Sequence, residues 1–197
     1  MARLLAVTFA RHDPPAVALG LTAEEFEAFV TVVCRSAGVE RLTISARDVA
    51  SGEMVAALLA EDGATSPPAG MDDLSPRFEP IFELFGQLDE QTPSPHPTAP
   101  GEVVHLFLLG VDATFMGRGI AHRLVATCVA NASACGYRTA VTEATNGVSQ
   151  HIFAKLGFVG RAQGSYADYR RDGVALFASI AGHGGPMAMS RDITDVR

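Results

Sequence analysis

The sequence predicts an α/β (α+β) protein in which a mixed, twisted sheet of about six or seven strands is flanked by helices. Segments with the period of a strand alternate along the chain with segments with the period of a helix. Residues 103–111 form a nearly continuous apolar run, which is typical of a central strand buried on both faces. The chain has 197 residues, of which 48% are hydrophobic, and this is enough for one domain with a substantial core.

The first half of the chain predicts, in order, a strand, a helix, a β-hairpin and a second helix. Residues 3–9 alternate loosely in hydrophobicity and predict the strand. Thr22 and Glu25 have the spacing of a capping box, and the apolar positions after them predict a helix of about 14 residues. Residues 42–49 and 54–60, joined by a short turn, predict the hairpin.

The second helix of this half is predicted by a stripe of apolar side chains at helical spacing: Phe78, Ile81, Phe82, Phe85 and Leu88. Because Pro80 has no amide hydrogen, we expect its regular part to begin near Glu79. Residues 91–100 contain four prolines and predict a stiff, extended and exposed connection.

The second half of the chain is more regular. After the central strand, a helical stripe begins at residue 120, and Gly136 can end that helix in the left-handed conformation. The following segments predict a strand, a short helix and two closing strands: 138–142, 148–156, 158–164 and 174–180. Glycines and mixed polar residues from Gly182 onward predict flexibility. We therefore expect one domain, residues 1–181, followed by a flexible tail, residues 182–197.

The composition narrows the classes of partner. A formal net charge of −7 without a basic block argues against nucleic acid and against an anionic membrane surface, and it permits a cationic substrate. No apolar run reaches the ~18 residues that a membrane span needs, and the apolar start is too short for a secretory signal. The cysteines lie in helical patterns without metal-ligand spacing, so we expect core thiols, no metal and a cytoplasmic, reducing location: Cys34, Cys128 and Cys135.

The segment FMGRGIAHRLV places Gly117 and Gly119 between the central strand and a helix. Free backbone amides at a helix start carry the positive end of the helix dipole and bind phosphate, and glycine lets an anion approach bare backbone. A Rossmann fingerprint would need a third glycine where His122 stands, and a Walker loop would need Gly-Lys-Ser or Gly-Lys-Thr. The segment therefore predicts either a site for a phosphate-bearing cofactor or a plain strand-to-helix turn.

A second segment, NGVSQHIFAKLGF at residues 146–158, lies one strand further on. Together the two segments resemble the GNAT superfamily of N-acetyltransferases. That family carries Arg/Gln-x-x-Gly-x-Gly/Ala after its fourth strand, which this chain matches at Gly119 and Ala121. It also carries Asn-x-x-(Ser/Ala)-x-x-(Leu/Ile)-(Tyr/Phe)-x-Lys-Leu-Gly-Phe on its last helix. The resemblance implies the GNAT fold, whose element order agrees with the order predicted above.

The resemblance implies an enzyme that transfers an acetyl group from acetyl-CoA to the primary amine of a small molecule, by direct attack in a ternary complex. It implies that the amides of one loop and helix start hold the cofactor diphosphate: Gly117, Arg118, Gly119, Ile120, Ala121 and His122. It also implies that the strand at Leu109, Gly110 and Val111 pairs with the pantetheine arm, with the Val111 amide facing the thioester oxygen. Asn146 would contact the pantetheine or cap the last helix.

The chain departs from the family pattern at two positions. Met116 stands where arginine or glutamine is usual, and Phe153 stands where many relatives have the tyrosine that protonates the leaving thiolate. Tyr166 and Tyr169 are candidates for this acid, the alternatives being water or an ordinary structural role for both tyrosines.

The base that takes a proton from the amine has three candidates: His105, Glu143 and Glu79. His105 has the strand parity of Val111, and histidines occur on that strand in arylalkylamine N-acetyltransferases; its alternative is a core histidine. Glu143 ends a strand, and Glu79 precedes the aromatic stripe. Ser149 is a further catalytic or cofactor-binding candidate, or a capping hydroxyl.

The pattern around residues 142–150, with Phe153, loosely resembles the arylalkylamine branch of the superfamily. The phenylalanines of the 78–88 stripe would then line an apolar acceptor pocket, or simply pack the core. Two other functions remain open: an acetyltransferase for a protein lysine or N-terminus, and a catalytically degenerate CoA-binding sensor. A homodimer is expected only by analogy with related folds.

Overall fold

A single mixed sheet organises the molecule. The computed structural model describes residues 1–37, 40–92, 99–194 and 196. Within them six strands are paired: β1 (Ile44–Arg47), β2 (Met54–Asp62), β3 (Val103–Val111), β4 (Thr139–Ala144), β5 (Val159–Gln163) and β6 (Met187–Asp192). Their spatial order is β1-β2-β3-β4-β6-β5, and the pair β3–β4 is parallel while the other neighbours are antiparallel. The predicted mixed sheet is confirmed.

Helices cover both faces of this sheet. They are α1 (Ala2–His12), α2 (Pro14–Ala18), α3 (Ala23–Ala37), α4 (Glu79–Gln91), α5 (Ile120–Ala134) and α6 (Gly147–Lys155). One core contains buried residues of the first four helices, such as Leu5 and Phe29, and we call this side the α1 face. The other contains residues of α5 and α6, such as Val125 and Phe153, and is the α5 face. Among the described residues, no helix is long and apolar enough to span a bilayer.

Several local predictions are confirmed. The Thr22 amide donates to the Glu25 carboxylate and the Glu25 amide donates to the Thr22 hydroxyl, which is the reciprocal pair of a capping box. The hairpin β1–β2 is present, and α4 begins at Glu79. Gly136 follows the last residues of α5 with a φ of 95°. Most of the predicted proline-rich connection falls on residues 93–98, outside the described residues.

The predicted first strand at residues 3–9 is wrong, because these residues belong to helix α1. Leu5 and Ala6 are fully buried and Phe9 packs beside them, a spacing that lies on one side of a helix but on both sides of a strand. The helix lies close against β3 at Gly110, where an added Cβ atom would be 2.9 Å from Leu5 Cδ2. Gly110 therefore lets α1 pack directly on the central strand.

The predictions for the last part of the chain are also wrong. Residues 174–180 are not a strand: Val174 forms an isolated bridge with Arg171, and a 3₁₀ helix spans Ala178–His183. The predicted flexible tail contains β6, which pairs with β4 on one side and with β5 on the other. The segment MAMSRD has no β-branched residue, so its strand conformation is set by pairing on both edges rather than by local propensity.

The thiols differ in environment. Cys128 is fully buried on the α5 face, as predicted, and Cys34 is partly buried. Cys135 is exposed at the end of α5, so its predicted core position is wrong.

A β-bulge in the central strand changes which face of the sheet its later side chains point toward. The pairing of β2 with β3 runs from Leu59 opposite Leu108 to Ala60 opposite Leu106, which leaves Phe107 as an extra residue. Leu106 consequently packs on the α5 face, whereas Leu108 packs on the α1 face. The predicted common face of His105 and Val111 is wrong, since the strand changes parity between them.

Candidate active site

The parallel strands β3 and β4 separate halfway along the sheet. Their pairing covers residues 103–105 of β3 and 139–141 of β4, and the Thr142 hydroxyl then donates to the Leu106 carbonyl oxygen at 2.9 Å. Beyond this point, no strand in the described part of the chain pairs with the β4-facing edge of β3. The two strands therefore form an open wedge.

The open edge of β3 carries free backbone amides. The Asp112 amide donates to the Val55 carbonyl oxygen across the β2 edge at 2.8 Å. Because amide directions alternate along a strand, the amides of Val111 and Leu109 point to the opposite, open edge. Gly110 lies between them and points its amide toward β2. The arrangement fits an extended chain lying alongside β3 as an additional strand.

The turn before α5 exposes a second set of amides. Gly117 and Gly119 have φ angles of 76° and 71°, and a Cβ added at either position would meet no atom within 4 Å. Gly119 is the N-cap of α5 and supplies no side-chain cap. In the described structure, the backbone amides of the predicted diphosphate-binding residues donate to no other residue: Gly117, Arg118, Gly119, Ile120, Ala121 and His122. These donors fit an anion such as a diphosphate.

Arg118 is held beside this turn. Its guanidinium carbon lies 4.7 Å from the centre of the Phe115 ring, and Nη2 donates to the Thr114 carbonyl oxygen at 3.3 Å. Met116, which replaces the usual polar residue, is exposed. One cation is therefore fixed next to the free amides.

A cavity of about 150 Å³ lies in the wedge between β3 and β4. Its apolar wall contains eight phenylalanine side chains: Phe9, Phe26, Phe29, Phe78, Phe82, Phe85, Phe107 and Phe153. Six of these rings, all except those of Phe85 and Phe153, form a connected cluster; for example, Phe78 and Phe82 stack with centroids 6.0 Å apart. Its polar groups come from α1, β4 and the start of α6: Thr8, His12, Asp13, Thr142, Glu143, Thr145, Asn146 and Ser149. The cavity therefore combines an aromatic wall with two carboxylates.

Asn146 and Ser149 form a capping box at the start of α6. The Asn146 side-chain oxygen accepts from the amides of Val148 and Ser149 at 3.1 and 3.0 Å. The Ser149 hydroxyl donates to the Asn146 carbonyl oxygen at 2.9 Å. The described contacts therefore show that both residues cap helix α6, which is the alternative role predicted from the sequence. Contact with a cofactor stays a prediction for both residues.

His105 lies between two carboxylates. Its Nε2 atom is 2.7 Å from Glu143 Oε2, and its Nδ1 atom is 3.4 Å from Glu61 Oε1. Burial alone would lower the pKa of His105, but the charges and hydrogen bonds of Glu143 and Glu61 raise it to about 10. Burial would raise the pKa of Glu143, but the His105 charge and hydrogen bond hold it below its ordinary value. The ring is therefore a cation at neutral pH and Glu143 is ionised.

Asp13 is a carboxylate that sequence reasoning missed. It is only 7% exposed, lines the cavity and is the N-cap of α2. It accepts hydrogen bonds from the Thr145 hydroxyl at 2.6 Å and from the Ala16 amide at 3.2 Å. Burial raises the pKa of Asp13 to about 6, although both hydrogen bonds oppose the shift. The Asp-Pro-Pro triplet is a helix-start signal that could have identified this cap, but the assignment of residues 3–9 to a strand hid it.

The remaining predicted residues lie outside the cavity lining in the described structure. Glu79 is on the surface, where its Oε2 accepts from Arg171 at 2.5 Å. Tyr166 is fully buried and its hydroxyl donates to the Thr145 carbonyl oxygen at 2.7 Å. Burial and the nearby Asp13 charge raise the pKa of Tyr166 far above its ordinary value. The Tyr169 hydroxyl donates to Glu83, and burial together with that carboxylate raises its pKa to about 12.

Phe153 occupies the position where the family resemblance implies a tyrosine in many relatives. It is 3% exposed and packs against Phe158 with ring centroids 5.0 Å apart. No groups of three or more His, Cys, Asp or Glu side chains suited to a metal ion occur among the residues described. The described site thus consists of backbone amides, two acidic side chains and aromatic rings.

A sheet opened between two parallel strands, with free amides along one strand and at the next helix start, is the arrangement of an N-acetyltransferase. The sequence model of the Acetyltransferase (GNAT) family matches residues 53–158. The chain belongs to this family, whose members use acetyl-CoA.

Solved structures share the fold over nearly the whole chain. The C-terminal condensation domain of Ebony, in complex with β-alanyl-dopamine, superposes with a TM-score of 0.83 at 13% identity, covering 97% of this chain and 92% of that one. Arylalkylamine N-acetyltransferase 2 from Aedes aegypti gives 0.79 at 21% identity, covering 98% and 93%. The polyamine N-acetyltransferase of Drosophila melanogaster gives 0.69 at 18% identity, covering 97% and 94%. At these identities the similarity establishes the fold alone.

Proposed function

We propose that this protein transfers an acetyl group from acetyl-CoA to the primary amine of a small molecule with an aromatic portion, by direct attack in a ternary complex. The observation that carries the proposal is the cavity in the wedge of the sheet. There the open edge of β3, two acidic side chains and an aromatic wall lie together.

The cofactor supplies the acetyl group as a thioester. The free amides from Gly117 to His122 would hold its diphosphate, and the β3 edge at Leu109–Val111 would hold its pantetheine arm. A fixed amide donor at Val111 would stabilise negative charge that develops on the thioester oxygen. These assignments are supported by the uncapped α5 start and by the absence of a strand partner along this edge in the described residues.

Asp13 is the base that we assign. Alkyl amines are protonated at neutral pH, and a base works best when its pKa lies near the working pH. The pKa of Asp13, raised to about 6, meets this requirement. His105 does not, because it is already protonated between its two carboxylates. Glu143, held ionised, then attracts the substrate ammonium group before the proton is lost.

The amine loses a proton to Asp13 and its nitrogen forms the new C–N bond as the C–S bond breaks. The nitrogen gives its second proton through a water molecule to the leaving thiolate, since Phe153 has no acidic hydrogen and the Tyr166 hydroxyl donates to the Thr145 carbonyl oxygen. In this scheme His105 orients Glu143, and Ser149 fixes the start of α6.

The aromatic wall sets the acceptor class. A cavity of about 150 Å³ lined by apolar groups matches the space that accommodates a benzene ring in other proteins. Eight phenylalanines favour an arylalkylamine over a chain with several charges. The solved arylalkylamine N-acetyltransferases with this fold agree with that choice at the level of the fold. A cytoplasmic location and a homodimer stay predictions of the sequence.

A second candidate is a CoA-binding sensor without catalysis. It is favoured by Phe153, which leaves a buried phenyl ring where relatives have an acidic hydroxyl. One assay separates the candidates: release of free thiol from acetyl-CoA with phenylethylamine, tryptamine, spermidine, agmatine and a lysine peptide.

We expect turnover with the two aromatic amines and values of kcat/KM at least tenfold lower for the others. Turnover of the peptide alone would show a protein acetyltransferase. CoA binding by calorimetry without turnover of any amine would show a sensor. The variant Phe82→Ala, at the partly open side of the wall, should raise KM for tryptamine and leave KM for acetyl-CoA unchanged.

A further inference from the structure

Thr145 is a junction between three parts of the molecule. It lies in the loop between β4 and α6, and its hydroxyl donates to Asp13 Oδ1 at 2.6 Å. The same hydroxyl oxygen is 3.4 Å from the Asn146 side-chain nitrogen. Its carbonyl oxygen accepts from the buried Tyr166 hydroxyl at 2.7 Å. One residue thus connects the α1–α2 junction, the start of α6 and the segment after β5.

The direction of each hydrogen bond is fixed. The Asn146 side-chain oxygen caps the amides of Val148 and Ser149, so its nitrogen faces Thr145 and can only donate. The Thr145 oxygen accepts there, and its single hydrogen is left for Asp13. The other oxygen of Asp13 accepts from the Ala16 amide. Both carboxylate oxygens therefore receive donors, which is the pattern that favours an ionised carboxylate.

We propose that Thr145 is a positioning residue for the reaction, which aims the Asp13 carboxylate into the cavity and favours its ionised form. The proposal rests on the proposed function, in which Asp13 is the base. Tyr166 assists by holding the Thr145 backbone, so its hydroxyl acts on the geometry and takes no part in proton transfer to the thiolate.

One charged side chain near Asp13, Glu143, opposes the effect of the Thr145 hydroxyl on Asp13. Glu143 of β4 lines the same cavity, and its negative charge disfavours a second anion. Tyr166 contributes a neutral hydroxyl, His12 of α1 lines the cavity, and His183 is on the 3₁₀ turn packed against α2. Burial also raises the pKa of Asp13. The Thr145 hydroxyl acts in the opposite sense, so its removal should make Asp13 harder to ionise.

The test is the pH profile of kcat/KM for full-length variants with tryptamine and acetyl-CoA. Thr145→Val keeps the shape of the side chain and removes the hydroxyl. We expect its acid limb to move to higher pH by about one unit, as loss of one hydrogen bond to a charged group implies. Thr145→Ser, which restores the hydroxyl, should keep the wild-type limb. Tyr166→Phe should shift the limb in the same direction by a smaller amount.

Thr43→Val is the matched control. Thr43 also donates its hydroxyl in a hydrogen bond, here to the Ala60 carbonyl oxygen rather than to a carboxylate, and it lies outside the cavity lining. Its profile should match that of the wild type. If Thr145→Val is poorly folded by circular dichroism, Thr145→Ala and Tyr166→Phe give the same comparison.

The outcomes separate this inference from the proposed function. A drop in kcat/KM for Thr145→Val without movement of the acid limb would mean a merely structural role and would overturn the inference. A Thr145→Ser limb displaced as far as that of Thr145→Val would overturn it too. If Asp13→Asn retains activity, the base assignment fails and Thr145 loses its role with it. If Asp13→Asn is inactive and Thr145→Val has the wild-type limb, only the positioning role fails.

Discussion

Replacement of Asp13 by asparagine tests the buried carboxylate through both stability and catalysis. Burial raises the pKa of Asp13 from an ordinary value of 3.8 to about 6 in the folded protein. The folded state therefore binds this proton more tightly than the unfolded state does. Ionised Asp13 costs no stability below about pH 3.8, a growing amount between pH 3.8 and 6, and a constant amount above that range.

The size of the effect follows from the same shift. A change of roughly two pKa units corresponds to about 3 kcal/mol of unfavourable free energy at neutral pH, as an order of magnitude. Asparagine removes the charge, but its nitrogen cannot accept from the Thr145 hydroxyl, and the lost hydrogen bond costs about 1 kcal/mol. We expect Asp13→Asn to be more stable than the wild type by roughly 1–2 kcal/mol at pH 7. At pH 4 this advantage should disappear.

Two measurements check the reasoning. Urea unfolding between pH 4 and pH 7.5 gives the free-energy difference, and thiol release gives kcat. Loss of a general base typically lowers the rate by a factor of about 10² to 10⁴. The control is Asp89→Asn on the exposed side of α4, which should change neither quantity. A stability difference that is independent of pH would refute the buried-charge argument, and an Asp13→Asn variant within tenfold of wild-type kcat would refute the catalytic role.

Three further predictions concern the turn at Gly117 and Gly119, the ion pairs of His105 with Glu143 and Glu61, and the packing of α1 on Gly110. Gly119→Ala should raise KM for acetyl-CoA at least tenfold. The control is Gly136→Ala at the other end of α5, where φ is also positive; it should introduce the same backbone strain of about 1 kcal/mol but leave KM for acetyl-CoA unchanged. Equal KM values for the two variants would contradict the diphosphate assignment. His105 has a pKa raised from 6.5 to about 10, so its stabilisation is full below pH 6.5 and is lost as pH rises toward 10. The melting temperature of the wild type should therefore fall over that range more than that of His105→Gln, and parallel curves would argue against the ion pairs. Gly110→Ala should destabilise the protein by about 1–3 kcal/mol, because its Cβ would lie 2.9 Å from Leu5 Cδ2. In the double variant, Leu5→Ala should recover part of this loss. If urea unfolding shows that the two substitutions have additive effects on stability, the contact is refuted.

The motif-bearing half of the chain could be predicted well from sequence. The limits of β3 agree with the apolar run, and the start of α4 agrees with the position of Pro80, because burial on both faces and a missing amide are strong local signals. The loop at Gly117 and Gly119 was identified because positive φ and bare backbone have few other uses. Helix capping, the alternative role predicted for Asn146, is confirmed, because asparagine directly before a helix is a strong local signal for an N-cap.

The features that sequence reasoning missed depend on contacts between distant residues. Helix α1 and a loosely alternating strand share a pattern over seven residues, and packing against α3 and β3 distinguishes them. Strand β6 has weak local propensity and exists because two neighbours pair with it. Burial among distant residues raises the pKa of Asp13, and Thr145, whose hydrogen bond opposes this rise, is 132 residues away in the chain. Glu143 and His105 were both predicted as candidates, but their pairing at 2.7 Å follows from the register of β3 and β4.

The extra residue at Phe107 makes the length of β3 as important as its composition. On its N-terminal side, the α1 face carries His105; on its C-terminal side, Leu109 and Val111 turn to the opposite face. Deleting the extra residue would restore regular alternation in β3 and leave every later position on its present face, because Leu108 would still lie opposite Leu59. In an alignment of relatives, a one-residue gap at this position is therefore compatible with an unchanged site, whereas the same gap between Leu108 and Val111 would turn every later position of the strand to the other face.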